Sequence, residues 1–132
     1  MVGTASGASV TSGTKDGMKE TTLTRADGTI VCERCSLADS PVARMRGLLG
    51  RDGLEQGEGL LLRPASSIHT FFMRFPIDAV FLSRDLAVLG IEDSIAPWRA
   101  ASQKGAKAVL ELPAGESSRR GLAVGDRLTL AA

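Results

Sequence analysis

The stretch Ser67-Ile-His-Thr-Phe-Phe-Met-Arg-Phe-Pro-Ile-Asp-Ala-Val-Phe-Leu82 decides how this chain is read. In an extended backbone His69, Phe71 and Met73 share one face, while Ile68, Thr70 and Phe72 share the other. Large apolar groups on both faces predict a central strand from Ser67 to Met73, covered on both sides. Pro76 lacks a ladder donor and biases Phe75 toward an extended conformation, so Arg74-Phe75-Pro76 predicts a corner before a second strand, Ile77 to Leu82. Asp78 sits inside that apolar second run. A carboxylate there is costly unless backbone N–H groups or an arginine satisfy it.

Outward from this segment, strand signals dominate. Thr22 to Arg25 and Thr29 to Cys35 flank Asp27-Gly28, a pair suited to the positive φ of a hairpin turn. Gly59 to Arg63, Leu86 to Ile91, Ala108 to Leu112 and Arg127 to Leu130 read as further short strands, and residues 94–106 as a loop. One helix is predicted after Asp39 or Ser40 as cap, with Pro41 at its first position and Gly50 at its end. Its apolar stripe is Val42, Met45, Leu48 and Leu49. Residues 114–121 have room for one or two further helical turns. The expected fold class is therefore α+β: a β-rich antiparallel roll or small barrel with one main helix packed on it. Residues 1–18, rich in Gly, Ser and Thr, read as a disordered tail before a single domain at 19–132.

Bulk composition narrows the function classes. The 132 residues suffice for one core, with 43% hydrophobic and 23% charged residues. A formal net charge of +1 offers no basic surface of the kind that nucleic acid or anionic lipid selects. No apolar run reaches the roughly 20 residues of a membrane span, and the first residues do not follow a secretory-signal pattern, so the expected location is cytoplasmic. Cys32 and Cys35 match Cys-x-x-Cys without a second pair. On a regular strand, residues three apart point to opposite faces, so neither metal nor redox chemistry is expected of them.

His69 is the single histidine, and three readings of it stand. It is a hydrogen-bonded core residue, or it lies at a pocket mouth paired with Asp78 as acid/base or ligand anchor, or it is a surface histidine. Asp78 likewise either pins the corner after Pro76 or pairs with Arg74, Arg63 or Arg44, or it binds a ligand hydroxyl or acts as a base. Arg44, Arg46, Arg51, Arg63 and Arg74 fall close together in sequence, and convergence of several would suit an anion. Trp98 in Ala96-Pro-Trp-Arg99 either stacks on a ligand or caps an open barrel end. No nucleophile elbow, phosphate-binding loop or dinucleotide fingerprint is present.

Five blocks in order, Arg44-Met-Arg-Gly-Leu-Leu-Gly-Arg51, Gly57-Glu-Gly-Leu-Leu-Leu62, Thr70-Phe-Phe-Met73, Pro76-Ile-Asp-Ala-Val-Phe-Leu82 and Val109-Leu-Glu-Leu-Pro-Ala-Gly115 with Gly125-Asp126, resemble the widespread prokaryotic family known as domain of unknown function 192. The resemblance covers residues 29–130 and implies a compact β-rich α+β domain without an established activity. Asp78, Arg44 and Arg51 match positions of the family pattern, whereas Phe72 stands where the family typically has Trp. Many relatives in that family carry an export signal or lipoprotein-type leader, which this chain does not show.

The function expected from these residues is a non-enzymatic binding module for a small polar or anionic ligand, with carbohydrate as one candidate class. Its site would be drawn from Arg44, Arg51, His69, Phe71, Met73, Asp78 and Trp98. The rival readings are a hydrolase or isomerase using His69 and Asp78, and an accessory protein of a larger assembly. No cofactor, metal, nucleic acid or membrane is expected, and the chain is expected to be a monomer.

Overall fold

Alternating apolar residues on paired strands build the molecule. In the computed structural model, which describes residues 18–131, β1 (Lys19–Arg25) and β2 (Ile30–Ala38) form the predicted hairpin. Gly28 adopts φ +90° at its turn, and Asp27 Oδ1 accepts from Thr29 N at 2.9 Å. Helix α1 (Pro41–Arg46) and a long connection then lead to β3 (Glu58–Leu62). β4 (Ser67–His69), β5 (Ile77–Leu82), β6 (Val88–Ile95), β7 (Ala100–Ser102) and β8 (Ala108–Pro113) follow, then α2 (Glu116–Arg119) and β9 (Leu128–Leu130).

The main sheet has the order β9-β1-β2-β3-β8-β5-β6, and β4 pairs with β7 in a separate two-stranded ribbon. The sheet curls into a half-barrel until its outer strands approach each other. Ala87 bridges Arg127 there, with Val88 N donating to Asp126 O at 2.7 Å and Leu128 N to Leu86 O at 2.9 Å. The expected purely antiparallel arrangement is corrected at one place: β2 and β3 run parallel. The connection through α1 is long enough for the crossover that a parallel pair requires.

Strand alternation divides the core into two clusters. Leu60, Leu62, Ile77, Ala79, Phe81 and Val109 point to one face of the sheet, while Leu61, Val80, Leu82, Leu110 and Leu112 point to the other. Met18, placed in the predicted tail, packs in the first cluster; the rest of that tail lies outside the described residues.

Three expectations change. The stretch from Ser67 to Met73 is not a central strand: only Ser67–His69 is extended, and it pairs with Ala100–Ser102 inside the segment read as a loop. Its two-sided apolar pattern serves a turn whose aromatics stay exposed. The main helix is a six-residue element with none of its residues buried. Val42 and Met45 are 71% and 75% exposed, and of the predicted stripe only Leu48, just beyond the helix, enters the core at 3%. Two turns of helix cannot present a stripe whose four members span eight positions. Finally, Cys32 and Cys35 do not diverge. The β1–β2 register shifts between Thr21 and Leu23, and both free thiols enter the same core cluster. A hydrogen bond between them, followed by burial, pushes the Cys35 thiol above its ordinary pKa.

Gly59 on β3 is required by close approach. A Cβ there would lie 2.7 Å from Cys32 Sγ and 3.1 Å from both Glu111 O and Leu112 Cδ2. Gly59→Ala is expected to lower stability by about 1–3 kcal/mol, read as a lower urea midpoint at unchanged slope.

Candidate functional site

Asp78 and Glu111 are both buried carboxyl groups on adjacent strands, and alternation sends them to opposite faces of the sheet. Asp78 pairs across the ladder with Leu112, whereas Glu111 pairs with Ala79 on β5 and Leu60 on β3. Their surroundings differ accordingly.

Asp78, 0% exposed, is fully engaged. Its Oδ1 accepts from Ser94 N at 2.8 Å and Gly115 N at 3.0 Å, and its Oδ2 accepts from Ser117 N at 2.9 Å and Ser117 Oγ at 2.7 Å. The carboxylate thereby ties β5 to the β6 strand and to the start of α2. It takes no hydrogen bond from His69, so the expected His69–Asp78 pair is not formed among the described residues. The arginines proposed as its partners go elsewhere: Arg74 Nη1 meets Asp52 Oδ1 at 2.6 Å, Arg63 Nε lies 3.8 Å from Asp39 Oδ1, and Arg44 Nη1 donates to Asp39 O at 3.1 Å.

A cavity of about 110 Å³ opens instead on the opposite face, between the end of α1 and β4. Leu48, Leu62, Ile68 and Met73 wall its interior, and Glu111 is buried at its floor. The exposed side chains that line it, Met45, Arg46, Leu49, Ser67 and His69, together with half-buried Arg44, form its mouth. The structure thus brings Arg44, His69 and Met73 of the expected site together. Arg51 and Asp78 do not line this cavity.

Aromatic rings extend the mouth outward. His69 stacks on Phe71 at 4.9 Å between centroids, Phe71 lies 6.0 Å from Trp98, and Trp98 lies 4.7 Å from Phe72. Phe72 and Trp98 adopt φ values of +67° and +66°, a left-handed backbone unfavourable for bulky side chains. Buried Thr70 holds both loops in place. Its Oγ1 donates to Ala96 O at 2.7 Å and accepts from Arg99 N at 2.8 Å, and its carbonyl accepts from Trp98 N at 3.0 Å. The indole absent at position 72 is therefore supplied to the same rim from a different loop.

Glu111 escaped the sequence reading, although Ala108-Val-Leu-Glu-Leu112 carried the same signal as Asp78: one carboxyl in an apolar strand. It is 4% exposed, and no hydrogen bond or ion pair reaches its side chain among the described residues. Burial alone pushes its pKa from 4.5 up to about 8. No three His, Cys, Asp or Glu side chains among the described residues are grouped as metal ligands, and none of the described helices is long and apolar enough to cross a membrane.

Comparison with known proteins places the fold. The profile of domain of unknown function 192, described as "Uncharacterized ACR", matches residues 22–130. The chain belongs to this family. A "UPF0127 protein" of Thermococcus sibiricus is 30% identical over 111 residues, covering 80% of this chain and 71% of the relative. A crystal structure of a protein of unknown function from Novosphingobium aromaticivorans superposes with a TM-score of 0.80 at 23% identity, over 92% of this chain and 93% of the other. A putative transcription regulator from Sinorhizobium meliloti gives a TM-score of 0.73 at 26% identity, over 83% and 91%.

Two outcomes are expected from the carboxyl groups. Asp78→Asn turns one acceptor into a donor facing donors and is expected to cost about 3 kcal/mol or more, measured by denaturant unfolding. Glu111 acts on pH dependence. Its folded pKa lies above its unfolded one, so its contribution is fully present below pH 4.5 and is lost as pH rises to about 8. Stability should therefore fall across that window by up to roughly 5 kcal/mol. Glu111→Gln should flatten that part of the stability–pH profile.

Proposed function

We propose that this protein is a non-enzymatic binding module for a small polar or anionic ligand. The observation that carries the reading is the cavity between α1 and β4, apolar inside and edged by Arg44, Arg46, Ser67 and His69. Pockets that hold small molecules combine apolar walls with a few convergent polar groups in this way. A carbohydrate would rest its apolar face on the exposed row from Phe71 to Trp98 rather than enter the cavity, which is smaller than the ~150 Å³ site that admits benzene. The reading carries with it a monomeric, cytoplasmic chain acting without metal, cofactor or nucleic acid. The regulator label of the Sinorhizobium relative finds no counterpart in a formal net charge of +1.

Catalysis by His69 and Asp78 is disfavoured, since every oxygen of Asp78 is occupied by structural donors on the other face of the sheet. A second reading, docking of a partner protein, draws on the exposed apolar side chains Val42, Met45, Phe72 and Trp98.

A thermal-shift screen over sugars, nucleotides and organic anions tests the proposal. A ligand at 100 times its Kd stabilises by about 2.7 kcal/mol. For an organic anion the shift should vanish in Ser67→Phe, which closes the cavity mouth from an exposed position, and persist in Phe72→Asp, which alters only the aromatic rim; a sugar on the aromatic row should show the reverse. A shift indifferent to both variants would place binding elsewhere.

A further inference from the structure

Within that binding reading, we infer that the cavity takes the head group of a short monocarboxylate, with Glu111 as a neutral, hydrogen-bond-donating floor and Arg44 and Arg46 as the cationic mouth. The inference rests on Proposed function and names the ligand class for its site.

The geometry argues as follows. Glu111 reaches the cavity from β8 between Leu60 of β3 and Ala79 of β5, so its neighbours on the sheet face offer neither charge nor hydrogen bond. The other charged or titratable groups lining the cavity are Arg44 and Arg46 from the α1 side and His69 from β4. No second carboxylate among the described residues lines it. A buried polar group lacking a partner among the described residues is one that a ligand can satisfy.

Charge selects the class. Burial holds the Glu111 carboxyl mostly protonated at neutral pH, so it presents an O–H donor to the cavity. A ligand carboxylate accepts that hydrogen bond and meets guanidinium groups at the mouth. An ammonium ligand would instead have to pass two arginines and draw the proton from Glu111. At about 110 Å³ the cavity is somewhat smaller than the benzene-sized site, which suits a chain of about three or four carbons.

Ligand binding and protonation of one carboxyl are then linked. With a pKa of about 8, the protonated fraction of Glu111 falls about thirtyfold between pH 6.5 and pH 9.5. The affinity for a carboxylate should fall by about that factor over the same interval, because the ionised floor repels the ligand and leaves only the protonated form to bind it.

The test is an NMR titration of the full chain with butyrate, 1-butanol and n-butylammonium, three probes of similar size and different charge. Butyrate should shift the amide resonances of Ile68, His69 and Leu110 to Leu112, bind more tightly than either other probe, and weaken about thirtyfold from pH 6.5 to 9.5. Glu111→Gln keeps a donor without the titrating proton, so it should bind butyrate with affinity nearly independent of pH. The wild-type profile stands on its own should that variant fold poorly. Tighter binding of butylammonium at the same resonances would overturn the carboxylate class and leave the binding module intact. Butyrate affinity that ignores pH, or no shift at these resonances with any probe, would overturn the role of Glu111. Failure of the wider reading shows separately, as a screen in which no ligand stabilises the protein in a manner that depends on Ser67 or Phe72.

Discussion

Asp78 must find hydrogen-bond donors because it is buried in the middle of a sheet, and the way it finds them organises much of the molecule. Two backbone N–H groups near α2, the Ser117 hydroxyl and one N–H from β6 converge on its two oxygens. Without them, an ionised carboxylate on this strand would be untenable. With them, β5 gains a fixed relation to β6 on one side and to the segment following β8 on the other. Glu116 reinforces the same corner. It accepts from Arg119 Nη2 at 2.7 Å, from Arg120 Nε at 3.1 Å and from Gly57 N at 3.3 Å, while Arg120 Nη2 reaches Glu33 Oε1 at 2.5 Å. Thus α2, the turn before β3 and strand β2 are joined by charge-assisted hydrogen bonds, and the paired guanidinium holds Glu33 below its ordinary pKa.

The opposite face of the sheet follows a different rule. There the strands are covered by the β4–β7 ribbon and the segment after α1, and their packing leaves a cavity over Glu111. Glu111 at its floor carries a large desolvation penalty that no hydrogen bond or ion pair among the described residues offsets. A stability cost of this kind at a concave site is one of the physical signatures of a functional position. The contrast between two buried carboxyl groups, one with four donors and the other with none among the described residues, separates architecture from site more clearly than either residue does alone.

The rim of the cavity shows a second form of stored cost. Phe72 and Trp98 are held in left-handed backbone conformations by hydrogen bonds to buried Thr70, and their rings remain exposed. Thr70 therefore works as a buried clamp, and the aromatics it positions are surface groups beside the cavity. The short α1 contributes likewise. Its apolar residues stay at the surface near the mouth, and its connection makes possible the parallel β2–β3 pairing.

The sequence by itself determined the strands whose alternation is strong. The Asp27-Gly28 hairpin, the Ile77–Leu82 strand, the strand ending at Pro113, the short second helix and the family all followed from local turn chemistry, periodicity and motif order. It also marked Asp78 as a carboxylate in need of donors, because a charge in an apolar run is costly wherever the run is buried. Only the tertiary structure decided which donors those were, since Ser94, Gly115 and Ser117 are distant in sequence and meet at Asp78 through sheet pairing. The same holds for His69 and Glu111. Period two assigns each residue to a face of its own strand, but which faces look into one cavity depends on strand order, curl and the β4–β7 ribbon. Those are non-local, and they moved the partner of interest for His69 from Asp78 to Glu111.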